Sequence, residues 1–208
     1  MLIIVRHGQS EANLIHGFAG HWNVNLTELG EKQAKTSAEY VYKNHKIDKI
    51  YASDLKRAFN TAKALADITG LPVIPSLELR EISAGEWEKQ LFSDLASNYH
   101  EEFSVWLNDI DNACATMGES VAQLKDRVVK EITKLARENA DKTVYIATHA
   151  TPVRALMSHI TGKKMQEIDW VSNASLTYID YIDGKLTIEK AGFDQHLKDL
   201  KTELPKGV

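Results

Sequence analysis

Short apolar runs alternate along the chain with longer segments in which apolar residues recur every three or four positions. The first pattern is typical of buried strands and the second of amphipathic helices. Strands are predicted at 2–5, 47–52, 72–74 and 143–147, and a hairpin at 176–182 and 185–189 around Asp183-Gly184. Helices are predicted at about 28–42, 55–69, 91–112, 121–139 and 152–160. Strands that alternate with helices favour a three-layer α/β/α sandwich.

Several element boundaries carry local signals. Thr27 is a predicted N-cap, and Ser53-Asp54 offers capping oxygens to the helix that Gly70 closes. Pro72 places the third strand towards a sheet edge. The polar tail from Gly192 is expected to be partly loose.

The chain contains no internal repeat, low-complexity tract or linker, so one domain over residues 1–208 is predicted. Within it, residues 77–90 show no clear period. The segment at about 91–117 is interpreted as a helical excursion from the main sheet.

Composition narrows the class of protein. Of 208 residues, 43% are hydrophobic and 26% are charged, which is ordinary for a globular protein, and the net charge of -4 gives no basic field for nucleic acid or a membrane surface. The single cysteine, Cys114, excludes an internal disulfide framework and is expected to be a partly buried thiol. No apolar run approaches membrane-spanning length and no signal-peptide pattern follows Met1, so a cytoplasmic protein is expected.

Polar residues follow the predicted strands at the edge where open α/β sheets bind ligands. Arg6-His7-Gly8 ends the first strand, and Thr148-His149 ends the fourth. Arg57 lies one turn into the helix after the second strand, and Glu81 lies in the non-periodic segment after the third. Taken singly, each is most often an ordinary polar residue, but together they place two arginines, two histidines and a carboxylic acid at one sheet edge.

This set of side chains suits phosphoryl chemistry. Arginine presents fork-shaped donors that match phosphate oxygens, and two arginines suggest a dianionic group. A neutral imidazole is a competent nucleophile, and a second, protonated histidine would add positive charge to the transferring group. A partly buried glutamate could protonate the leaving oxygen and then activate water.

Several segments, in order along nearly the whole chain, resemble the histidine phosphatase superfamily in its phosphoglycerate-mutase-like branch. The family patterns are R-H-G-x-[TS]-x-x-N, [DN]-x-x-L-T-x-x-G-x-x-Q-A, S-x-L-x-R-A-x-x-T-A and L-x-E-x-x-x-G-x-W-E. They stand here at Arg6–Asn13, Asn23–Ala34, Ser53–Ala62 and Leu79–Glu88, and Gly118-Glu119-Ser120 and the strand-end His149 complete the series.

The resemblance implies a fold and a set of roles. The fold would be a mixed, mostly parallel six-stranded sheet between helical layers. His7 would be the residue phosphorylated, Glu81 the proton donor, and Arg6, Arg57 and His149 the phosphate pocket. Further pocket contacts would come from Ser10, Asn13 and the amide of Ala150.

Two positions depart from the family pattern. Thr148-His149-Ala150 stands where the family usually has Ser-His-Gly, and alanine keeps the backbone amide, so activity is expected to survive. Lys89 stands where a glycine would follow Trp87-Glu88, and it is expected to alter the loop around Glu81.

Residues 91–117 contain no Lys or Arg, so a second acidic group on a substrate would find little charge there. This favours a phosphatase of the histidine acid phosphatase type, hydrolysing small phosphorylated metabolites through a phosphohistidine on His7. Its outer pocket is predicted to contain aromatic and histidine side chains: Phe18, His21, Trp22, Phe103 and Trp106.

Three alternatives remain open: a phosphoglycerate mutase, a phosphate-binding pseudoenzyme and a metal-dependent hydrolase. The histidines lack short metal-ligand spacings, so no metal or other cofactor is expected. A monomer or a homodimer is predicted.

Overall fold

The computed structural model describes residues 1–202. Its strands are β1 (Leu2–Arg6), β2 (Lys49–Ser53), β3 (Val73–Ser76), β4 (Val144–Thr148), β5 (Leu176–Ile182) and β6 (Lys185–Phe193). They form one sheet in the order β3-β2-β4-β1-β5-β6. The four strands β3, β2, β4 and β1 are parallel, whereas β5 pairs antiparallel with β1 and β6 antiparallel with β5. The predicted mixed, mostly parallel six-stranded sheet is therefore confirmed, with β3 at its edge.

The helices are α1 (Glu11–Leu14), α2 (Glu28–Asn44), α3 (Lys56–Thr69), α4 (Phe92–Asn98), α5 (His100–Asn108), α6 (Val121–Glu138) and α7 (Ala150–Thr161). Short 3₁₀ turns lie at Leu77–Leu79, Gly85–Trp87, Ile110–Asn112, Met165–Glu167 and Gln195–Leu200. Helices α2 and α3 cover one face of the sheet, and α6, α7 and the excursion cover the other. The three-layer α/β/α sandwich is confirmed; the extent of one domain over 1–208 stays a prediction.

The central strand β1 is buried on both faces. Leu2 and Ile4 belong to the apolar core beneath α6 and α7, while Ile3 and Val5 belong to the core beneath α2 and α3. A strand that packs helices on both sides needs apolar residues at successive positions, because its side chains alternate between the two faces. This burial explains the continuous apolar run from which the strand was predicted.

The predicted helix over 91–112 is in fact two helices and a 3₁₀ turn. The chain leaves helical geometry at Tyr99, where φ is -134°, between α4 and α5. The buried face of α5 then carries Phe103 and Trp106, whose rings pack edge-on against Trp87 at 5.7 and 6.0 Å between ring centroids. Apolar residues spaced at three and four predicted the helical character of the segment but not its break.

The predicted capping of α3 holds only for Ser53, whose hydroxyl accepts from the amide of Leu55 at 3.3 Å, and is wrong for Asp54. Leu55 is the N-cap residue, and the amide of Lys56 donates at 2.8 Å to the Asn23 side chain from the loop before α2. Asp54 instead forms an ion pair with Arg80. Gly70 ends α3 in the left-handed conformation, as predicted.

The hairpin turn is confirmed, since Asp183 and Gly184 both have positive φ, of 50° and 79°. Strand β6 continues to Phe193, and a 3₁₀ turn beyond it buries Leu197. Up to residue 202 the prediction of a loose tail is therefore wrong; residues 203–208 lie outside the described part of the chain.

Cys114 is exposed, so the expected partly buried thiol is wrong. An isolated bridge to Ser120 makes this stretch locally extended, and the side chains alternate in direction. Ala113 and Ala115 point inward and are buried, which turns the thiol outward.

Within residues 1–202, none of the helices combines the length and the apolar character that a bilayer crossing requires.

Two glycines hold the turn after β1 against α2. A Cβ atom on Gly8 would collide with the carbonyl oxygen of Gly30, and one on Gly30 would collide with the carbonyl oxygen of Gln9. Both colliding atoms belong to the main chain, so neither can move aside without shifting the loop or the helix. Glycine is required at both positions by close approach of the backbone.

We expect Gly30→Ala to lower the free energy of unfolding by about 3 kcal/mol, because overpacking of this kind forces backbone shifts. Chemical denaturation measures the change, and Lys32→Ala on the exposed face of the same helix is the matched control. At an unobstructed helix position, Gly→Ala would instead stabilise by up to about 1 kcal/mol. A stabilised variant would contradict the close contact.

Candidate active site

The sheet brings the two strand-end histidines together. Arg6 lies opposite Thr148 in the parallel pairing of β1 with β4, and the amide of His7 donates to the Thr148 carbonyl at 2.9 Å. The rings of His7 and His149 then meet edge-on, with centroids 5.1 Å apart. The register of the paired strands accounts for this juxtaposition. No local sequence signal connects the two motifs.

Hydrogen bonds fix the tautomer of His7. Its Nδ1 lies 2.7 Å from the carbonyl oxygen of Gly8, and its Nε2 lies 3.3 Å from Nε of Arg57. A carbonyl only accepts and a guanidinium only donates, so Nδ1 carries the proton and Nε2 presents its lone pair. Burial, reinforced by the charges of Arg57 and Arg6, holds the pKa of His7 well below its usual value. His7 is therefore neutral at neutral pH.

Both arginines are buried cations held by main-chain oxygens. Arg57 donates to the carbonyls of Gly20 at 2.8 Å and Trp22 at 3.0 Å, and Arg6 donates to that of Val171 at 2.6 Å. Burial lowers the pKa of each guanidinium to about 10, against the opposing charge of Glu81, and both stay charged at pH 7. Nε of Arg6 has no hydrogen-bond partner within residues 1–202, which leaves a buried donor available.

His149 is fully buried behind His7. Its Nε2 lies 2.9 Å from the Ser53 hydroxyl at the end of β2, while its Nδ1 has no partner among the described residues. Burial, together with the charge of Arg57, lowers the pKa of His149 well below its usual value. The structure thus indicates a neutral His149, because a buried imidazole beside Arg57 resists a further charge. The positive charge that a protonated His149 would add to the transferring group stays a prediction.

Glu81 lies on the segment between two 3₁₀ turns and reaches the same cavity as His7 and both arginines. Its carboxylate oxygens accept from the amides of Ile82 at 2.9 Å and Thr151 at 3.4 Å. These two amide donors orient the carboxyl group. The residues singled out for the chemistry are therefore adjacent, with His149 behind His7.

The cavity has a volume of about 490 Å³. Asn13 and Ala150 line it as expected, but Ser10 does not: the Ser10 hydroxyl is fully buried and caps α1. Asn13 also accepts from Asn173, which donates to the carbonyl oxygen of His7 at 3.1 Å.

Of the predicted outer pocket, Phe18 and Trp106 line the cavity, whereas His21, Trp22 and Phe103 do not. His21 approaches the Glu81 carbonyl at 2.9 Å through Nε2, and Trp22 contributes its carbonyl oxygen to Arg57. Phe103 packs in the core against Trp87. The three expectations fail for different reasons: His21 turns its ring to the main chain of Glu81, Trp22 offers its carbonyl oxygen, and Phe103 faces the core from α5.

Sequence patterns did not single out several lining residues, which lie in loops or at the ends of helices: Gln9, Leu14, His16, Phe92, Thr151, Trp170, Asn173 and Thr202. A buried asparagine followed by Ala174 at positive φ marks one of these loops, yet no local pattern connects it with β1.

Lys89 adopts φ of 71°, in the left-handed region that glycine favours. Its amide donates to the Phe18 carbonyl at 3.0 Å. The loop conformation at this position is thus one that glycine adopts easily, and Lys89 holds it through that hydrogen bond.

Ala150 is the first residue of α7. The first amides of a helix have no intrahelical partners, so among the described residues the amide of Ala150 remains free to donate.

The depressed pKa values make stability depend on pH. His7 and His149 titrate near 6.5 when unfolded but much lower when folded, so the unfolded chain binds more protons below pH 6.5. Stability is retained above pH 6.5 and is lost as the pH falls. From pH 7.5 to 5.5 we expect these two groups to lower the free energy of unfolding by about 2–3 kcal/mol.

Denaturant melts across this range measure the change. His149→Asn is expected to remove roughly half of it, whereas His159→Ala, at an exposed position, is expected to leave the pH dependence intact. Equal slopes for His149→Asn and the original chain would contradict a neutral, buried His149.

A neutral imidazole between two permanent cations suits phosphoryl transfer, and the fold places it at the carboxyl ends of parallel strands. Fold and site together define an α/β enzyme of phosphate chemistry. A sequence model of the histidine phosphatase superfamily (branch 1) matches residues 2–194. The chain belongs to the histidine phosphatase superfamily, in its phosphoglycerate-mutase-like branch.

Relatives of this chain carry phosphatase names. Phosphoserine phosphatase 1 of Hydrogenobacter thermophilus is 30% identical over 210 residues, covering 100% of this chain and 99% of its own length. An adenosylcobalamin/alpha-ribazole phosphatase of Salmonella typhimurium is 31% identical over 191 residues, covering 90% and 94%. The structure of a mycobacterial glucosyl-3-phosphoglycerate phosphatase superposes with a TM-score of 0.84 at 26% identity, covering 93% and 98%. The predicted family, fold and phosphatase class of enzyme are confirmed.

Proposed function

We propose that the protein hydrolyses phosphate monoesters of small metabolites in two steps through a phosphohistidine on His7. The observation that carries the proposal is the tautomer of His7: Nδ1–H donates to the Gly8 carbonyl, so the lone pair of Nε2 is presented beside Arg57. Neutrality of this imidazole at pH 7 makes it competent to attack phosphorus.

In the first step Nε2 of His7 attacks the phosphorus atom, and the bond from phosphorus to the ester oxygen breaks. The leaving oxygen takes a proton from the carboxylic acid of Glu81. Arg6 and Arg57 bind the phosphoryl oxygens, and the Nε of Arg6, which has no partner within residues 1–202, supplies a further buried donor. A bound dianion also favours a proton on His149, since an opposite charge raises the pKa of an imidazole.

In the second step water attacks the phosphohistidine and Glu81, now a carboxylate, takes a proton from that water. The bond from phosphorus to Nε2 breaks, inorganic phosphate leaves, and both groups return to their starting states. Ser10 contributes indirectly, because its hydroxyl caps α1, the helix that carries Asn13. Asn13 and the Ala150 amide complete the phosphate end of the cavity.

The relatives named above are phosphatases of phosphoserine, alpha-ribazole and glucosyl-3-phosphoglycerate esters by name, which supports a small phosphorylated metabolite here. A mutase is disfavoured because residues 91–117 offer no cation to hold a second acidic group. A cytoplasmic location and a monomer or homodimer stay predictions from the sequence.

A panel of phosphomonoesters with released phosphate as the readout tests this proposal. Hydrolysis should exceed any interconversion of 3- and 2-phosphoglycerate. Fast interconversion without release of phosphate would instead identify a mutase, and phosphate binding without turnover of any ester would identify a binding module.

A further inference from the structure

The cavity wall divides by chemistry into two parts. In the first part, the ionisable side chains of Arg6, Arg57 and Glu81 lie together around His7. The rest of the wall is largely apolar and aromatic: Leu14, Gly17, Phe18, Ala19, Phe92, Trp106 and Trp170. We call this second part the apolar chamber.

The aromatic rings of the apolar chamber are fixed by their neighbours. Phe18 packs edge-on against Trp106 with centroids 5.2 Å apart and lies 5.5 Å from Phe92. Trp170 lies over the guanidinium of Arg154, whose carbon is 4.3 Å from the ring centroid. Arg154 is itself buried and donates to the carbonyls of Met165 at 2.7 Å and Ile168 at 3.2 Å. The rings form a preorganised surface that needs no rearrangement to accept an apolar group.

The charges on the cavity wall distinguish between possible alcohol parts of the substrate. The phosphate group of a substrate uses Arg6 and Arg57, and no lysine lines the described cavity. A carboxylate on the alcohol side would leave water for largely aromatic walls, where His16 is the one further basic side chain among the described lining residues, and this desolvation is costly. Gln9, Asn13, Thr151 and Thr202 offer neutral hydrogen bonds that suit hydroxyl or carbonyl groups.

We propose, resting on the proposed function, that the apolar chamber binds the alcohol part of the substrate and selects phosphate esters of uncharged alcohols with an apolar or aromatic group. Phosphoserine, with its ammonium and carboxylate groups, fits this chamber poorly. The selectivity thus differs from that named for the relative that hydrolyses phosphoserine.

Three esters of primary alcohols test the selectivity at similar leaving-group chemistry: ethyl phosphate, hexyl phosphate and phosphoserine. We expect kcat/KM to rise about 10- to 100-fold from ethyl to hexyl phosphate, since each buried methylene contributes several-fold. Phosphoserine should be the poorest of the three. Equal values for ethyl and hexyl phosphate, or phosphoserine as the best substrate, would overturn the proposal.

Variants locate the selectivity. Trp170→Ala should reduce the hexyl-to-ethyl ratio about fivefold or more, Trp170→Phe should retain most of it, and Leu107→Ala, an exposed position on α5, should leave it unchanged. If Trp170→Ala does not fold, Trp170→Phe and the comparison of substrates on the original chain still decide. Absence of phosphate release from every ester would contradict the proposed function itself, whereas release without selectivity contradicts only this inference.

A separate set of contacts connects α6 with Glu81. Arg127 donates to the carbonyl oxygens of Glu78 at 2.8 Å, Arg80 at 2.9 Å and Glu81 at 2.8 Å. It also forms a bidentate pair with Glu119, at 2.7 and 2.8 Å. The largely buried guanidinium therefore uses its donors to fix the main chain that carries Glu81.

Glu119 holds the same main-chain segment at its other end, through Ser83. Its carboxylate accepts from the Ser83 amide at 3.2 Å, and its amide donates to the Ser83 carbonyl at 2.7 Å. Residues 78–83 are thus held on both sides of Glu81. We infer that Arg127 is a positioning residue, which sets the direction of the Glu81 carboxyl group for proton donation.

Leaving-group chemistry distinguishes positioning from general structural support. An alkoxide needs a proton from Glu81, whereas 4-nitrophenolate leaves without one. We expect Arg127→Met to lower kcat/KM, which reports formation of the phosphoenzyme and not its hydrolysis, about tenfold or more for hexyl phosphate and less than threefold for 4-nitrophenyl phosphate. Arg127→Lys should recover part of the loss, and Arg137→Met, exposed on the same helix, should have no effect.

An equal loss on both esters would assign Arg127 a structural role and overturn the inference. Glu81→Gln must show the same preference for the nitrophenyl ester. If it does not, the proton-donor role in the proposed function fails. The Glu81 variant thus tests the proposed function, and the Arg127 variant tests only the positioning role. Where Arg127→Met does not fold, Arg127→Lys makes the same comparison.

Discussion

Replacing His7 with alanine is expected to reduce turnover of any phosphate ester by at least about 10⁴-fold, while inorganic phosphate still binds. The loss is large because alanine removes the atom that attacks phosphorus, and no other neutral nitrogen takes its place. Nδ1 of His149 has no hydrogen-bond partner within residues 1–202. His149 cannot replace His7, however, because the hydrogen bond between its Nε2 and Ser53 holds the ring behind His7. Binding survives because Arg6 and Arg57 keep their main-chain contacts.

Two measurements check this result. Phosphate release gives the loss of turnover, and brief exposure to labelled substrate should place label on His7 in a bond stable to alkali and lost in acid. His159→Ala, at an exposed position on α7, should keep full activity and full labelling. Label of the opposite stability, or an active His7→Ala, would refute the covalent intermediate.

Glu81→Gln is expected to lower kcat for alkyl phosphates by about 10²- to 10⁴-fold, the range that positioned acid–base catalysis supplies. Glutamine keeps the shape of the side chain, and its single carbonyl oxygen can keep the shorter contact with the Ile82 amide, but it cannot exchange a proton. For 4-nitrophenyl phosphate the first step should be nearly unaffected. Accumulated phosphoenzyme is then expected, since hydrolysis of the phosphohistidine still lacks its base.

Rapid-quench measurement of the phosphoenzyme tests the second part of this expectation. Glu86→Gln removes a nearby exposed carboxylate and should leave both steps unchanged. A uniform loss on alkyl and nitrophenyl esters, with no accumulated intermediate, would show that Glu81 supports the loop and does not exchange protons.

The sheet could be predicted because its physical causes are local. A strand buried on both faces needs the continuous apolar run of Leu2–Val5, and positive φ at two successive positions needs Asp183-Gly184 or a similar pair. The meeting of His7 with His149 followed from one general fact, that parallel strands end at the same edge. Their catalytic roles stay predictions.

Other parts depend on contacts between distant residues and left no local signal. The Val171 carbonyl that holds Arg6, and the Asn173 amide that holds the His7 carbonyl, come from a loop without periodicity. The amide of Lys56 is capped by Asn23 from another loop. The charge state of His149 follows from complete burial beside Arg57, which the sequence alone does not reveal.

The hydrogen bond from the His7 amide to the Thr148 carbonyl implies that the two sides of the site differ in mobility. This amide belongs to the central sheet, whose cooperative opening is set by global unfolding, and its exchange with solvent deuterium should be among the slowest in the chain. The opposite wall includes residues 165–173, where Arg6 and Arg154 donate to the carbonyl oxygens of Val171, Met165 and Ile168. No strand pairing within residues 1–202 protects this segment, so its amides should exchange faster than that of His7. The nucleophile therefore extends from the rigid sheet, opposite a wall that opens more readily.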